Sequence, residues 1–389
     1  MKILYVSNVD PDPNSGASGT DIQTIQALRN QGHSVDAVWR NDLGSRLRHP
    51  AMQSILELPS RLRSATICHP NFKAYDVFLV NQPYAYLGAK RLRRGNPSKI
   101  FVIRSHGFEA RAETVLSGWH KETRTAKREF WKIPLGWFVD FGVRRACRLA
   151  AKYADGILVS SNADKTFIVN SYGLADNKVA CIPQAVPPLF LEKPCVPFSP
   201  ARMDRIMYVG PSQFHKGYTF LLQAIVKILQ ENNRLKFTWI CNESEHQGIR
   251  AALPVDIHEQ VRLEAYCTQD ELMSHYDSCG IFLFPSLFEG FGKAPLEAMS
   301  RGLCVVATRV GGMADIINTG NDGLLVEPGQ ANEIYQSVRY LFEDTRRAEK
   351  ISLKARETAS KYTWDRSAIE ISRWLEELKM KKINAQIAC

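Results

Sequence analysis

Short apolar runs rich in β-branched and aromatic residues alternate along this chain with longer stretches whose apolar positions recur at helical spacing. In the first half the runs are ILYVSN, SVDAVW, YDVFLV, KIFVIRS, GILVSS and VACIP. In the second half they are RIMYVG, KFTWIC, VRLEAY, GIFLFPS, CVVAT and GLLVEP. Strands that alternate with helical stretches predict parallel sheets joined by crossover helices, so the fold class is α/β. The pattern runs through twice, which makes two similar units. Between them, residues 183–200 hold six prolines, too many for a central strand or a helix interior. This divides the chain into a first domain at 1–183, a linker at 184–204 and a second domain at 205–363, with a substrate cleft expected between the domains. From Trp364 the tail WDRSAIEISRWLEELKMKK has helical spacing and lysines toward its end, predicting a long terminal helix over 364–389 with basic residues in its last turn.

The 389 residues exceed one compact core and fit two. With 45% hydrophobic and 23% charged residues, the composition is that of a globular protein, and no apolar run is long enough to cross a bilayer. The opening MKILYVSNV reads as a first buried strand rather than a signal peptide, because Asp10, Asp12 and a glycine-rich stretch follow directly. Nine scattered cysteines without a CxxC pair suit reduced thiols in the cytoplasm.

Charge changes the picture of the first half only. Residues 1–200 carry 27 Lys and Arg against 16 Asp and Glu, whereas residues 201–389 are nearly balanced. The excess lies at Arg46–Arg63, Arg91–Arg94 and Arg104–Lys152, the last region also holding Trp119, Phe130, Trp131, Trp137, Phe138 and Phe141. Basic and aromatic residues together suit an anionic membrane surface or a polyanion, and solvated helix faces with core aromatics are the competing reading. The basic regions form no known nucleic-acid module, so no nucleic-acid partner is expected.

The chemistry concentrates in FPSLFEGFGKAPLEAM, residues 284–299. An apolar strand ends there in a glycine loop, and a helix begins near Gly292. Backbone N–H groups at such a helix start favour an anion, so the amides of Phe291, Gly292 and Lys293 are expected to hold a phosphate, with Gly290 and Gly292 letting it approach. Glu297 lies about 1.5 turns into that helix. A carboxylate there suits the two hydroxyls of a ribose, and Glu289 in the loop suits hydroxyls of a transferred sugar.

The string EGFGKAPLEAMSRGLCVVAT, together with NSGASGTDIQTIQALRNQGHSV, RSHGFE, DGILVSSNADK, YVGPSQFHKGYTFLLQAI, GGMADII and the WDR tail, resembles the signature of retaining family-4 glycosyltransferases of the GT-B fold. The resemblance implies two Rossmann-like domains, the first binding the acceptor and the second a nucleotide-sugar donor, with the last helix crossing back onto the first. It implies that Lys216, in HKG, neutralises the donor diphosphate, and that His106 lies at the sugar end of the site. It brings Gly16 and Gly19, in a glycine loop ahead of a helix expected from about Asp21, against the donor phosphate, and puts Glu109 toward donor or acceptor.

Three departures stand out. Gly210 is followed by Pro211 where relatives have an arginine, leaving three readings: His215 substitutes for its charge, an arginine of the first half does, or phosphate binding is weakened. Gln184 and Ala185 replace an Asn-Gly turn, and WICNESE replaces a glycine-rich loop, pointing to Asn242 and Glu243 as that wall. Asp10-Pro-Asp12 has the form of a metal-binding DxD but reads as a turn, so no metal or other cofactor is expected.

The resulting expectation is a metal-independent enzyme transferring a sugar to an acceptor hydroxyl with retention, on a glycan or lipid-linked sugar, in cell-surface polysaccharide or glycolipid synthesis. It would be cytoplasmic and peripheral at the inner membrane face. The alternatives are a catalytically silent GT-B subunit binding a partner or lipid, and a nucleotide-sugar epimerase or phosphorylase of the same architecture.

Overall fold

The computed structural model describes residues 1–49, 52–95, 98–123 and 133–387, so Phe130 and Trp131 of the basic-aromatic region lie outside the described residues. The chain forms two compact units, one of Met1–Gln184 with Trp364–Cys389 and one of Ala185–Thr363. Each is built on a six-stranded parallel sheet.

The first sheet comprises β1 (Lys2–Val6), β2 (Ser34–Val38), β3 (Val77–Asn81), β4 (Ile100–Arg104), β5 (Gly156–Val159) and β6 (Val179–Cys181), in the order β2-β1-β3-β4-β5-β6. Every residue of β3, β4 and β5 is buried, which is why these segments read as unbroken apolar runs: helices cover both faces of a parallel sheet. The chain order reverses between β1 and β3, and crevices for ligands form at the carboxyl ends of strands at such a reversal.

The terminal helix Trp364–Ile387 belongs to this unit. Trp374 packs on Gly156 so closely that a Cβ added there would sit 2.6 Å from its ring. Lys379 pairs with Asp76 at 2.9 Å and Lys382 with Asp155 at 2.8 Å. The lysines expected in the last turn therefore lie inside the helix, which runs on to Ile387 because they anchor it rather than cap it.

The second sheet comprises β7 (Arg205–Val209), β8 (Lys236–Cys241), β9 (Val261–Ala265), β10 (Ile281–Phe284), β11 (Cys304–Thr308) and β12 (Leu324–Val326), in the order β12-β11-β10-β7-β8-β9. Its reversal falls between β7 and β10, where Ile206 pairs with Ile281.

The proline-dense segment is part of this second unit rather than a free linker. Ala185, Val186 and Phe190 are buried, and two short helices, Pro188–Glu192 and Pro200–Met203, each start on a proline, the one helical position where its missing N–H costs nothing. Arg301, itself buried, donates to the carbonyls of Phe190, Lys193 and Pro194 while its guanidinium pairs with Asp277 at 2.6 Å. Proline-rich backbone has spare carbonyls, and a buried guanidinium has donors to match them.

Candidate functional site

The second unit brings two loops together at its topological reversal, one after β7 and one after β10. Leu287 N–H donates to the carbonyl of His215 at 2.8 Å, tying the loops by their backbones. Gly217 makes the approach feasible: its φ is +68°, and a Cβ there would lie 1.9 Å from the Pro285 carbonyl oxygen, so a side chain is excluded twice over. The consequence is that Lys216 Nζ reaches Glu289 Oε1 at 2.5 Å, with the Ser286 hydroxyl donating to the same oxygen at 3.0 Å. The lysine and glutamate side chains are 23% and 14% exposed, open enough to be reached by a ligand.

Gly290, Phe291 and Gly292 carry the chain from Glu289 into the helix Lys293–Ser300, with Gly292 at the N-cap. The first-turn amides of a helix have no intrahelical acceptor, and they sit at its positive end. Glu297 is buried one turn further on. Its carboxylate accepts from the Tyr276 hydroxyl at 3.3 Å and lies 3.6 Å from Lys293 Nζ. Burial, with the negative charge of Glu297 beside it, holds the Tyr276 phenol well above its usual range, so Tyr276 is a fixed donor to that carboxylate. Nothing in the sequence marks Tyr276, 21 residues away, as a partner of Glu297.

The loop after β7 differs from expectation in its charges. The Ser212 N–H and hydroxyl both donate to Glu245, which also accepts from Asn242 Nδ2 at 2.9 Å. Burial would raise the Glu245 carboxyl, but the hydrogen bonds from Ser212 and Asn242 outweigh it and keep the group ionised below its usual range. The wall expected at Asn242 and Glu243 is thus made by Glu245 and Asn242, since Glu243 only opens the turn Glu243–Glu245 that aims Glu245 inward. His215 is corrected as well. Burial and the adjacent Lys216 ammonium hold its imidazole below the usual range, so it is uncharged near neutral pH and does not replace the missing arginine.

The first unit carries the other expected residues. The helix begins at Gly16, not near Asp21: Ser15 is its extended N-cap and Gly19 N–H already donates to the Ser15 carbonyl at 2.9 Å. Gly16 and Gly19 therefore form the first helical turn, not a loop. The Ser18 hydroxyl explains the early start, for it accepts from Asp12 N–H at 2.7 Å and donates to the Asp10 carbonyl at 2.6 Å, folding the Asp10–Asp12 turn over the helix end. Gln184, noted as a departure, accepts from the Thr20 hydroxyl at 3.1 Å.

His106 follows β4, with Nε2 2.9 Å from Asp21 Oδ1. Glu109 opens the helix Glu109–Glu122 and accepts from the Ser105 hydroxyl at 3.2 Å. Burial pushes its carboxyl up to about 8, making it a proton-holding group in the neutral range. Among the described residues no group of His, Cys, Asp and Glu is spaced to hold a metal ion.

Residues 204–344 match the family described as glycosyl transferases group 1. A D-inositol 3-phosphate glycosyltransferase of Corynebacterium diphtheriae is 25% identical over an alignment covering 95% of this chain and 92% of that protein. Two uncharacterized glycosyltransferases of Methanocaldococcus jannaschii, 26% and 29% identical, match over less than half of their own length, 48% and 43%. Among solved structures, a sucrose-phosphate synthase from Thermosynechococcus elongatus superposes with a TM-score of 0.75 at 17% identity, over 97% of this chain and 99% of that one. HepE of Anabaena in complex with UDP gives 0.67 at 16%, over 97% and 100%. The family match within the second unit, a relative aligned along nearly the whole chain and two parallel six-stranded sheets agree: residues 204–344 are similar to the group 1 glycosyl transferases, and the chain has the two-domain α/β architecture of the GT-B fold.

Proposed function

We propose that this protein transfers a sugar from a nucleotide-sugar donor to an acceptor hydroxyl with retention of anomeric configuration. The observation that carries the reading is the convergence of Lys216, Glu289 and the Gly290–Lys293 helix start at one sheet reversal, with a buried carboxylate, Glu297, one turn behind. A cation beside free amides suits a diphosphate, and a fixed carboxylate behind them suits a ribose diol. The UDP complex of the HepE neighbour supports the choice of a nucleotide.

In this reading the bond from the anomeric carbon to the diphosphate oxygen breaks as the acceptor oxygen bonds to the same face of that carbon. The acceptor's proton passes to the departing phosphate oxygen. No protein carboxylate attacks. Lys216 and the amides of Phe291, Gly292 and Lys293 stabilise the leaving charge, and Glu289 orients the sugar. The leaving-group charge is met by these groups, so the reading assigns no metal.

A thermal-shift and calorimetric screen against UDP-, GDP-, ADP- and dTDP-sugars, with Lys216→Ala and Glu297→Ala alongside, tests it. One nucleotide class should bind the wild type, and both variants should lose it. Binding by none, in protein shown to be folded, favours the silent-subunit alternative, for which the ionised Glu245 on the donor-side loop speaks. Conversion of donor without acceptor would instead mark an epimerase, and dependence on phosphate a phosphorylase.

We also propose a lipid-linked or membrane-proximal acceptor, in surface polysaccharide or glycolipid synthesis. On the helix Ile133–Tyr153, Trp137 is 72% and Phe141 64% exposed, so these aromatics are not core, and Arg145 and Arg148 are exposed further along it. Exposed aromatics beside cations suit an anionic bilayer surface. Flotation with phosphatidylcholine vesicles, with and without phosphatidylglycerol, should show salt-sensitive binding to the anionic ones that Trp137→Ala/Phe141→Ala abolishes. Equal recovery with both vesicle types would remove the proposal. No helix among the described residues is long and apolar enough to cross a membrane.

A further inference from the structure

Behind His106 the first unit buries a polar cluster that the transfer chemistry leaves unused. Asp21 is fully buried and its two oxygens take four partners: Tyr5 Oη at 2.6 Å and His106 Nε2 at 2.9 Å on Oδ1, Ser7 Oγ at 2.7 Å and Asn81 Nδ2 on Oδ2. Arg104, also buried, donates to Tyr5 Oη at 2.9 Å and to Thr24 Oγ1 at 2.8 Å. These groups come from the ends of β1, β3 and β4 and from the Gly16–Asn30 helix, the place where this sheet reverses. One atom breaks the pattern: His106 Nδ1 is buried and has no hydrogen-bond partner.

We infer that Asp21 is a positioning residue that fixes His106 as its Nε2–H tautomer, so that Nδ1 is left as a hydrogen-bond acceptor for a ligand hydroxyl. An ionised carboxylate only accepts, so the ring nitrogen facing it must carry the proton. Asp21 is held ionised: burial opposes the charge, but His106, Arg104 and the Tyr5 hydroxyl outweigh it. The Arg104 guanidinium lies one hydroxyl away, on Tyr5 Oη. Nδ1 is then a bare lone pair. A buried acceptor left unmatched costs free energy, and a ligand that donates to it recovers that cost. A hydroxyl fits this atom, whereas a phosphate, which offers acceptors, does not.

The inference rests on the glycosyltransferase reading for the identity of the hydroxyl, but the tautomer can be measured without substrate. Two-bond proton–nitrogen spectra of the full chain with nitrogen-labelled histidine separate the two tautomers, and the His106 signals are those lost in His106→Gln. The wild type should show Nε2–H and bare Nδ1 at neutral pH. Asp21→Asn should introduce the second tautomer, because a carboxamide can donate as well as accept. Ser7→Ala, which removes a donor from Oδ2 only, should leave the tautomer unchanged. A wild-type ring protonated on Nδ1, or a tautomer scrambled by Ser7→Ala, overturns the inference, and these two measurements decide it even if Asp21→Asn does not fold. With the donor found by the nucleotide-sugar screen, folded Asp21→Asn should lose on the order of 10²-fold in kcat/KM at unchanged affinity for the free nucleotide. Equal loss in nucleotide affinity would also overturn it. Should no nucleotide sugar bind the wild type, the transferase reading falls while the tautomer still decides the role of Asp21.

Discussion

Glu289→Gln keeps the shape of the side chain and removes its charge, and for this site the consequences for binding and turnover have opposite signs. In the free protein Lys216 is engaged by Glu289 at 2.5 Å, so a donor diphosphate must either displace the carboxylate or share the lysine with it. Two unit charges about 4 Å apart attract by roughly 4 kcal/mol at an effective dielectric constant of about 20. Desolvation and partial exposure of both side chains reduce this, and net values for charged hydrogen bonds of this kind are about 1–2 kcal/mol. Releasing the lysine and removing a negative charge from the phosphate site should therefore tighten binding of the free nucleoside diphosphate about 5- to 30-fold. Turnover should move the other way, falling about 10²- to 10³-fold, because a group that orients the sugar is felt in the transition state and not by the nucleotide.

Calorimetry with the nucleoside diphosphate measures the first effect and single-turnover kinetics the second. The tightening should shrink at high salt and vanish in the Lys216→Ala background, since the two residues act through one contact. Nucleotide affinity that is unchanged or weaker in Glu289→Gln would refute the reasoning, because it would mean that Lys216 does not face the diphosphate.

Two further predictions concern stability. Gly217→Ala places a methyl group 1.9 Å from the Pro285 carbonyl oxygen in left-handed backbone and should cost about 3 kcal/mol or more in urea denaturation, with nucleotide binding lost as the two loops part. Glu109 holds its proton up to about 8 in the folded chain, well above its ordinary value of 4.5. The folded state therefore binds more protons than the unfolded one between those values, and stability is lost as pH rises through that window. Glu109→Gln removes the effect, so wild type and variant should diverge in the variant's favour from pH 5 to about 8 and run parallel above it; parallel curves throughout would show that this carboxyl titrates normally.

All twelve strands were legible in the sequence, the inner ones because a parallel sheet covered on both faces leaves a continuous apolar run, a signal that depends on no distant residue, and the half-buried edge strands SVDAV and VRLEA by their place in the strand-helix alternation. The loop–helix joint at Gly292 was legible for a similar reason, since glycines at a strand end announce a backbone that must bend and be approached. The other helix start was misplaced because glycines at 16 and 19 look like loop in a sequence, whereas in the structure Ser18 fastens the Asp10–Asp12 turn and the helix begins through them. The proline-dense segment misled in the same way. Its backbone carbonyls are claimed by Arg301, more than a hundred residues later, and no local pattern records that.

Long-range partner choice also decides the electrostatics of the site. Pro211 removes the expected arginine, and the two residues nearest that gap do not restore its charge. Burial keeps His215 neutral, and Glu245, drawn to Ser212 across 33 residues, adds a negative charge that composition alone could not assign to this loop. Lys293, whose amide was expected at the anion, has its Nζ 3.6 Å from Glu297, and in the proposed reading Lys216 and the helix amides meet the diphosphate. With Pro211 where an arginine was expected and His215 uncharged, the proposed reading leans more heavily on Lys216. It follows that Glu245→Gln, which removes the opposing charge without touching Lys216, should tighten nucleoside diphosphate binding on its own and add fully to Glu289→Gln. The two carboxylates have different partners, Ser212 and Lys216, so non-additive effects would show that the two loops respond as one element rather than as two independent walls.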